Sequence, residues 1–212
     1  QNRNPSLPQK VLNSLATEGI KTTAWKCLSR FNPLEHFKRR YADMIGVYSG
    51  SLAFRGPEMV QIDITNSCNN NCIGCWCNSP LLGEDRMPDR QKEKRIPFER
   101  LADLLHELKA MGTRQIYYSG GGEPFTHPDI LRILTLTKRL GFIAYVNTNF
   151  TLMNHEILET LCRIGLDHLT VSVWAGNAIT YIATHPNKTE ADFMKLEQHL
   201  TYLNHIKNGP PY

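Results

Sequence analysis

Long hydrophobic runs are absent from this 212-residue chain. No apolar stretch approaches the ~18–20 residues that a helix needs to cross a bilayer, so we expect no membrane-spanning segment. No secretory signal is visible either, because residues 1–5 are polar. Extremes of composition are also missing: 21% of the residues are charged, 41% are hydrophobic and the net charge is +4. This balance is typical of a globular domain and excludes collagen-like, coiled-coil and disordered chains.

Positive charge is concentrated in the N-terminal quarter of the chain. Residues 1–57 contain nine Lys and Arg residues against three acidic residues, a local charge of +6, so the remainder sums to −2. A basic flank can contact nucleic acid, but the run Lys38-Arg39-Arg40 is short and fits a solvated helix face. We therefore expect no nucleic-acid partner, and we interpret residues 1–57 as a helical N-terminal extension with helices around 11–15 and 34–46.

From Glu58 onward, a strand pattern followed by a helix pattern occurs four times. The predicted strands cover residues 59–65, 115–119, 142–147 and 168–174, and the predicted helices cover residues 98–111, 128–140, 154–164 and 189–206. Successive βα units imply a parallel sheet with right-handed crossovers. We therefore predict an α/β domain over residues 58–212, built as a barrel or as a doubly wound sheet.

Each predicted strand is followed by residues suited to bind a ligand. These are a cysteine-rich loop, the run Gly121-Gly122-Glu123-Pro124, the run Asn147-Thr148-Asn149 and the run Ser172-Val173-Trp174. Loops after the carboxyl ends of parallel strands build active sites, so we expect the site at this edge of the sheet. The charged segment 81–95 is long enough to be a lid or a disordered loop, and both interpretations stay open.

Four of the six cysteines lie within ten residues, namely Cys68, Cys72, Cys75 and Cys77. Such crowding is unlike a disulfide framework and indicates metal or cluster ligation in a reducing compartment, so we expect a cytoplasmic protein. The C-x3-C-x2-C spacing of the first three suits three corners of a [4Fe–4S] cluster and leaves one iron open. Two alternatives would use Cys77 as a fourth ligand: a non-enzymatic iron–sulfur electron-transfer module and a zinc-stabilised interaction domain.

Taken together, these residues resemble the radical S-adenosylmethionine superfamily. That family carries C-x3-C-x2-C after its first strand, matched by Cys68, Cys72 and Cys75, and a Gly-Gly-Glu-Pro run after its second, matched by residues 121–124. Glycine lets a backbone approach a ligand closely, and an acid beside it suits a cationic ammonium group. Neither alternative has a use for the Gly-Gly-Glu-Pro run, so the pair of motifs favours the family.

The resemblance implies a partial (β/α)6 TIM-like barrel with two cofactors, a three-cysteine [4Fe–4S] cluster and S-adenosylmethionine. The cluster would be reduced by a donor such as flavodoxin or ferredoxin and would cleave S-adenosylmethionine, and the resulting 5′-deoxyadenosyl radical would take hydrogen from the substrate. By the same resemblance, the methionine amino group is received by residues 121–124, Asn147 or Asn149 supplies the polar residue that family members often have at the end of the third strand, and Ser172 reaches the ribose. Family members often carry an aromatic or other hydrophobic residue just before the third cysteine. Gly74 stands there, so Trp76 is the candidate for the adenine.

The resemblance leaves the substrate open. The layout looks most like the SPASM-type members, which modify peptides or proteins and carry auxiliary clusters, so an unknown peptide, protein or small molecule is expected as the partner. A cobalamin-dependent methyltransferase and an RNA-modifying enzyme also stay open. Family cores usually have six βα units and four are visible here, so we expect the natural protein to continue beyond residue 212.

Overall fold

The structure is a computed structural model and describes residues 33–208. The chain divides into two compact units, Gln1–Arg55 and Gly56–Tyr212. In the described part of the first unit, helix α1 (Pro33–Ser49) occupies the region where the second helix was predicted. Its apolar residues Phe37 and Tyr41 are exposed and stack on one another with ring centroids 6.3 Å apart. The helix predicted around 11–15 lies outside the described residues.

The second unit is built on a parallel sheet of four strands. Strands β1 (Met59–Ile62), β2 (Gln115–Tyr118), β3 (Ile143–Thr148) and β4 (His168–Val171) lie in the order of the sequence. Ile62 pairs with Tyr118 and Tyr118 pairs with Val146, so the strands are in register at their carboxyl ends. The α/β class and the four βα units are therefore confirmed.

Helices follow the strands as the sequence pattern predicts. They are α2 (Asp89–Lys92), α3 (Phe98–Ala110), α4 (Ile130–Arg139), α5 (His155–Arg163), α6 (Ala178–Thr184) and α7 (Glu190–Asn208). The helices bury apolar faces against one face of the sheet, and the core includes Leu101, Leu105, Ile133, Leu134 and Leu158. Because successive strand residues point to opposite faces, the other face carries the alternate side chains, among them Tyr145, which stacks on His168 at 4.2 Å.

Strands β1 and β4 end well before the predicted residues 65 and 174. Strand β1 stops at Ile62 because the chain turns to an antiparallel bridge between Thr65 and Arg95, flanked by the bond from Ile96 N to Ile64 O at 2.9 Å. Strand β4 stops at Val171, although Ser172 N still donates to Thr148 O at 2.9 Å. The polar runs after both strands are thus loops, which is the conformation that a binding site requires.

The segment 81–95 is folded, so the interpretation as a disordered loop is wrong. It contains most of a 3-10 helix (Pro80–Asp85) and all of helix α2. Between the two helices, Met87 N donates to Cys77 O at 2.9 Å. Helix α6 was not predicted; it begins at the N-cap Asn177, whose Oδ1 accepts from Thr180 N. The last helix opens with a capping box, in which Thr189 N donates to Asp192 Oδ2 and Asp192 N donates to Thr189 Oγ1.

None of the helices in residues 33–208 combines the length and hydropathy that crossing a bilayer demands.

Candidate functional site

The cysteine loop follows β1 and holds three free thiols close together. Cys68, Cys72 and Cys75 are half-buried, and Cys75 N donates to Cys72 O at 3.1 Å in the turn that joins the last two. The pKa of Cys68 is raised to about 11, mainly by burial and to a smaller extent by the nearby charges of Glu123, Cys72 and Cys75, against the opposing backbone N–H of Asn70. Burial also raises the pKa of Cys72, with Cys75 as the next cause. A negative charge on either Cys72 or Cys75 thus disfavours a negative charge on Cys68.

Contacts from distant parts of the chain fix the shape of this loop. Ile73 N donates to Thr184 O at 3.0 Å, at the end of α6. Asn187 brackets the loop: its Nδ2 donates to Asn69 O at 2.9 Å, and its backbone N donates to Asn71 Oδ1 at 3.1 Å. These bonds span more than 100 residues of sequence, so the loop is held by tertiary structure rather than by its own turns.

The Gly-Gly-Glu-Pro run packs directly against the start of the cysteine loop. Glu123 N donates to Ser67 O at 2.8 Å. A Cβ added at Gly122 would lie 2.2 Å from the same Ser67 oxygen, and one added at Gly121 would lie 2.9 Å from Asn66 Oδ1. Glycine is therefore required at Gly122 by close approach of two backbones, and the structure brings the two motifs of the sequence together.

The Glu123 carboxylate joins the loop after β2 to the loop after β3. It accepts hydrogen bonds from Phe125 N at 3.1 Å, Thr148 Oγ1 at 2.7 Å and Asn149 N at 2.6 Å, and the residue is 3% exposed. Burial raises the pKa of Glu123, and these three donors oppose the increase. This bracing was not predicted, because the sequence does not show which donors would meet the acid.

Asn149 lies beside the cysteine loop, and Ser172 lies in a separate polar chain. Asn149 Nδ2 donates to Asn69 Oδ1 at 2.9 Å and lies 3.9 Å from Cys68 Sγ. Ser172 Oγ donates to Asn147 Oδ1 at 2.9 Å, and Asn147 Nδ2 lies 3.4 Å from Ser119 Oγ. This second chain crosses the carboxyl ends of β2, β3 and β4.

Two tryptophans stand near the third cysteine. Trp76 is 73% exposed. Trp174, in the loop after β4, is 54% exposed and has a φ of 51°, a left-handed conformation that is uncommon for any residue except glycine. Its ring covers Gly74, where an added Cβ would lie 2.9 Å from Cζ3. The absence of a side chain at Gly74 is the one sequence signal that could have pointed to a ring arriving from elsewhere.

Cys77 and Asn78 connect the cysteine loop to the glycine run. Cys77 Sγ and Asn78 Nδ2 both donate to Gly121 O at 3.2 Å, and Asn78 N donates to Cys75 Sγ at 3.3 Å. Cys77 Sγ lies 3.7 Å from Cys75 Sγ, and burial raises the pKa of Cys77 to about 12. Sequence reasoning treated Cys77 only as a spare thiol or a fourth ligand and missed this connection.

Several buried polar atoms beside the cysteines have no partner. In residues 33–208, five buried side-chain atoms lack a hydrogen bond, and three of them belong to Asn70 (Nδ2 and Oδ1) and Tyr181 (the hydroxyl). Burial raises the pKa of Cys72 and raises that of Tyr181 to about 12, and the Asn70 amide opposes both increases. Asn70 therefore lies close to both groups without meeting either in bonding geometry.

Within the described part of the chain, no three His, Cys, Asp or Glu side chains are arranged around a single metal ion. The cysteines of an iron–sulfur cluster bind different iron atoms, so such a site does not require its ligands to meet at one point.

An α/β sheet with free cysteines and a glycine run at its carboxyl edge defines a cofactor-binding half-barrel. The model of the Radical SAM superfamily matches residues 62–200, which is more than half of the chain. The chain therefore belongs to the Radical SAM superfamily, a family of enzymes that implies S-adenosylmethionine and an iron–sulfur cluster.

Individual relatives agree with this membership. The chain is 32% identical over 146 residues to PqqA peptide cyclase of Streptomyces rochei, covering 66% of this chain and 37% of that protein. It is 29% identical over 127 residues to AdoMet-dependent heme synthase of Methanosarcina barkeri, covering 59% and 33%. The crystal structure of Streptococcus suis SuiB bound to precursor peptide SuiA matches 82% of this chain and 36% of its own, with a TM-score of 0.59 and 17% identity, which shows a shared fold. The chain thus spans about a third of the length of these relatives.

Proposed function

We propose that the second unit is the cofactor-binding part of a radical SAM enzyme that modifies a peptide. Cys68, Cys72 and Cys75 would hold a [4Fe–4S] cluster by three corners, and the run that begins at Gly121 would receive the methionine end of S-adenosylmethionine. The observation that carries the proposal is the bond from Glu123 N to Ser67 O at 2.8 Å. A ligand on an iron held by the cysteines would lie beside the glycine backbone.

The residues at the site suit these groups. The three thiols are free, and ligation to iron removes their protons, so the high pKa of Cys68 is overcome by metal binding. When bound, the cluster supplies the electron that breaks the C5′–S bond of S-adenosylmethionine. Gly122 lets the glycine run pack against Ser67, where any side chain would collide. The buried Glu123 keeps the loops after β2 and β3 in one arrangement.

The remaining site residues would orient S-adenosylmethionine. Asn149, 3.9 Å from Cys68 Sγ, would face the methionine end, and Ser172, bonded to Asn147, would face the ribose. The adenine would stack on an exposed aromatic ring, for which Trp76 was predicted and Trp174 is a second candidate. Together these groups would hold the sulfonium near the cluster.

A peptide is the substrate class that the similarities favour. Over 66% of its own length, this chain is 32% identical to a PqqA peptide cyclase. Incubating the reduced enzyme with S-adenosylmethionine and a perdeuterated peptide pool should give 5′-deoxyadenosine heavier by one mass unit. If deuterium enters only from a perdeuterated small-molecule pool, the peptide assignment is wrong.

Anaerobic reconstitution with iron and sulfide tests the cofactor assignment. The chain should take up iron, and the electron paramagnetic resonance spectrum of the reduced cluster should change when S-adenosylmethionine is added. Single changes Cys68→Ala, Cys72→Ala and Cys75→Ala should abolish S-adenosylmethionine cleavage, because each removes one corner of the cluster. Cys162→Ala, on the half-buried free thiol of α5, is the matched control and should retain cleavage.

Cys77→Ala separates the enzyme from the alternatives. Cys77 donates to Gly121 O and is not required as a ligand in the proposed site, so the variant should keep its iron. Loss of iron from this variant together with a spectrum indifferent to S-adenosylmethionine would favour an electron carrier. Uptake of zinc in place of iron by the unmodified chain would favour the interaction domain.

A further inference from the structure

Asn70 lies in the middle of the cysteine loop with its whole side-chain amide unpaired. The residue is 4% exposed, and both Nδ2 and Oδ1 lack a partner among the described residues. Tyr181, which is 1% exposed, likewise has an unpaired hydroxyl. A buried polar atom left without a partner costs about 1–3 kcal/mol, so three in one place indicate that another group completes the arrangement.

The surroundings hold both side chains in place. Tyr181 stacks on His185 with ring centroids 4.3 Å apart and tilts against Phe193 at 5.4 Å. The bond from Ile73 N to Thr184 O ties the cysteine loop to α6, the helix that carries Tyr181. Asn70 stands between Asn69 and Asn71, both of which are bonded to Asn187, so neither unpaired group can turn to solvent without dismantling these contacts.

The chemistry of the two groups matches a sulfur acceptor. An amide N–H and a tyrosine O–H are donors, and the Asn70 amide lies close enough to Cys72 and to Tyr181 to lower the pKa of both. Cys72 is half-buried, and no side-chain donor reaches its sulfur among the hydrogen bonds that the structure shows for residues 33–208. A thiolate sulfur bound to iron can accept an N–H bond, and such bonds set the reduction potential of iron–sulfur clusters.

We propose that Asn70 is a positioning residue for the iron–sulfur group, with its Nδ2–H donating to the sulfur of ligated Cys72 and Tyr181 donating its hydroxyl to Asn70 Oδ1. The inference rests on the proposed function and adds a way in which the chain adjusts the cluster. The N–H bond draws negative charge from the sulfur and favours the reduced cluster, so Asn70 raises the reduction potential. Tyr181 acts through Asn70 by fixing the orientation of the amide.

We call the two proposed hydrogen bonds, from Tyr181 to Asn70 and from Asn70 to Cys72, the relay. Redox titration of the reconstituted chain, followed by electron paramagnetic resonance, tests it. Asn70→Leu keeps the side-chain volume and removes the donor, so the equilibrium constant for one-electron reduction should fall about tenfold, which is a potential ~59 mV lower. Tyr181→Phe should lower it about threefold, and the double variant should match Asn70→Leu because the hydroxyl acts through the amide. Tyr202→Phe, which removes a hydroxyl bonded to Glu159, is the control and should leave the potential unchanged.

Each outcome bears on the relay separately from the proposed function. If the unmodified chain takes up no cluster, the proposed function itself fails. If the cluster forms and responds to S-adenosylmethionine but all variants share one potential, the proposed function stands and the relay is overturned; a buried water that satisfied Asn70 and Tyr181 would give this result. Should Asn70→Leu fail to fold, as judged by circular dichroism, the potential of Tyr181→Phe against Tyr202→Phe decides the question.

Discussion

The two edges of the sheet are built in different ways. At the amino edge, helices α3, α4 and α5 each end in a glycine with positive φ, 82° at Gly112, 77° at Gly141 and 68° at Gly165. The residue after each glycine donates back to a carbonyl five residues earlier, at 3.0, 3.2 and 3.1 Å respectively. This repeated helix ending, the Schellman arrangement, needs only nearby backbone atoms.

At the carboxyl edge, the loops are held by contacts that differ from one to the next. The cysteine loop is bracketed by Asn187, the glycine run is bonded to Ser67, and the loops after β2 and β3 share the Glu123 carboxylate. Each contact joins segments far apart in sequence. The edge that needs a specific arrangement of groups for chemistry is thus the edge whose structure depends on the whole unit, while the opposite edge only turns the chain.

Adding one methyl group at each edge gives the largest expected contrast. Gly122→Ala places a Cβ 2.2 Å from Ser67 O, and because that atom belongs to the backbone the unit should lose about 3 kcal/mol of unfolding free energy. Gly165→Ala meets nothing within 4 Å, so only its left-handed φ is penalised, by about 1 kcal/mol. Urea unfolding of both variants measures the difference. Equal losses would mean that the close approach at Gly122 is absent.

A matched pair of carboxylates, each bonded to β3 or to the loop after it, gives a smaller contrast. Glu123→Gln puts an amide N–H₂ among three donors at the carboxyl edge and should cost about 2 kcal/mol. At the amino edge, Asp167 accepts from Ala144 N at 2.8 Å and from Lys138 but is partly exposed, so Asp167→Asn should cost about 1 kcal/mol. Urea unfolding at neutral pH compares the two, and a larger loss from Asp167→Asn would contradict the contrast.

The pH dependence of the Glu123 effect has a defined sign. Burial raises the pKa of Glu123, so the folded chain holds this proton more tightly than the unfolded chain does. The stability that this raised pKa adds is fully present below the unfolded pKa of Glu123, near 4.5, and is lost as pH rises through the folded pKa, while the hydrogen bonds that the carboxylate accepts at neutral pH remain. Glu123→Gln has no such dependence, so the stability difference between the two chains should shrink as pH rises through this window.

Local signals in the sequence predict the amino edge of the sheet almost completely and the carboxyl edge in part. Gly112, Gly141 and Gly165 stand directly after the helices predicted over residues 98–111, 128–140 and 154–164, and glycine favours the left-handed helix ending. The cysteine and glycine motifs were expected to meet because they follow neighbouring parallel strands. The early end of β1 at Ile62 could not be predicted, because it depends on pairing with residues 94–96.

Contacts that side chains make between loops could not be predicted from the sequence. Nothing near Asn187 in the chain indicates that it brackets a loop 116 residues away, and Cys77 gives no local sign of its bond to Gly121. Trp174 is the clearest case, because its position over Gly74 depends on a φ that the pattern for a strand through residue 174 excludes. The backbone conformation that glycine adopts freely at the amino edge is imposed on a tryptophan at the carboxyl edge.

That imposed conformation, which costs roughly 1–2 kcal/mol, makes Trp174 rather than Trp76 the residue expected to contact the adenine. Trp174→Gly should weaken S-adenosylmethionine binding about fivefold, close to 1 kcal/mol, because one stacked aromatic pair is lost. The stability of the chain should change little, since relief of the φ strain offsets the lost contact with Gly74.

Two further variants serve as controls. Trp76→Ala should change the affinity for S-adenosylmethionine less than twofold. Gly74→Phe combined with Trp174→Gly should recover most of the affinity by returning a ring to the same place. Calorimetric titration of the chain with its cluster oxidised, so that S-adenosylmethionine binds without being cleaved, measures all three affinities, and a greater loss from Trp76→Ala would assign the adenine to the exposed loop instead.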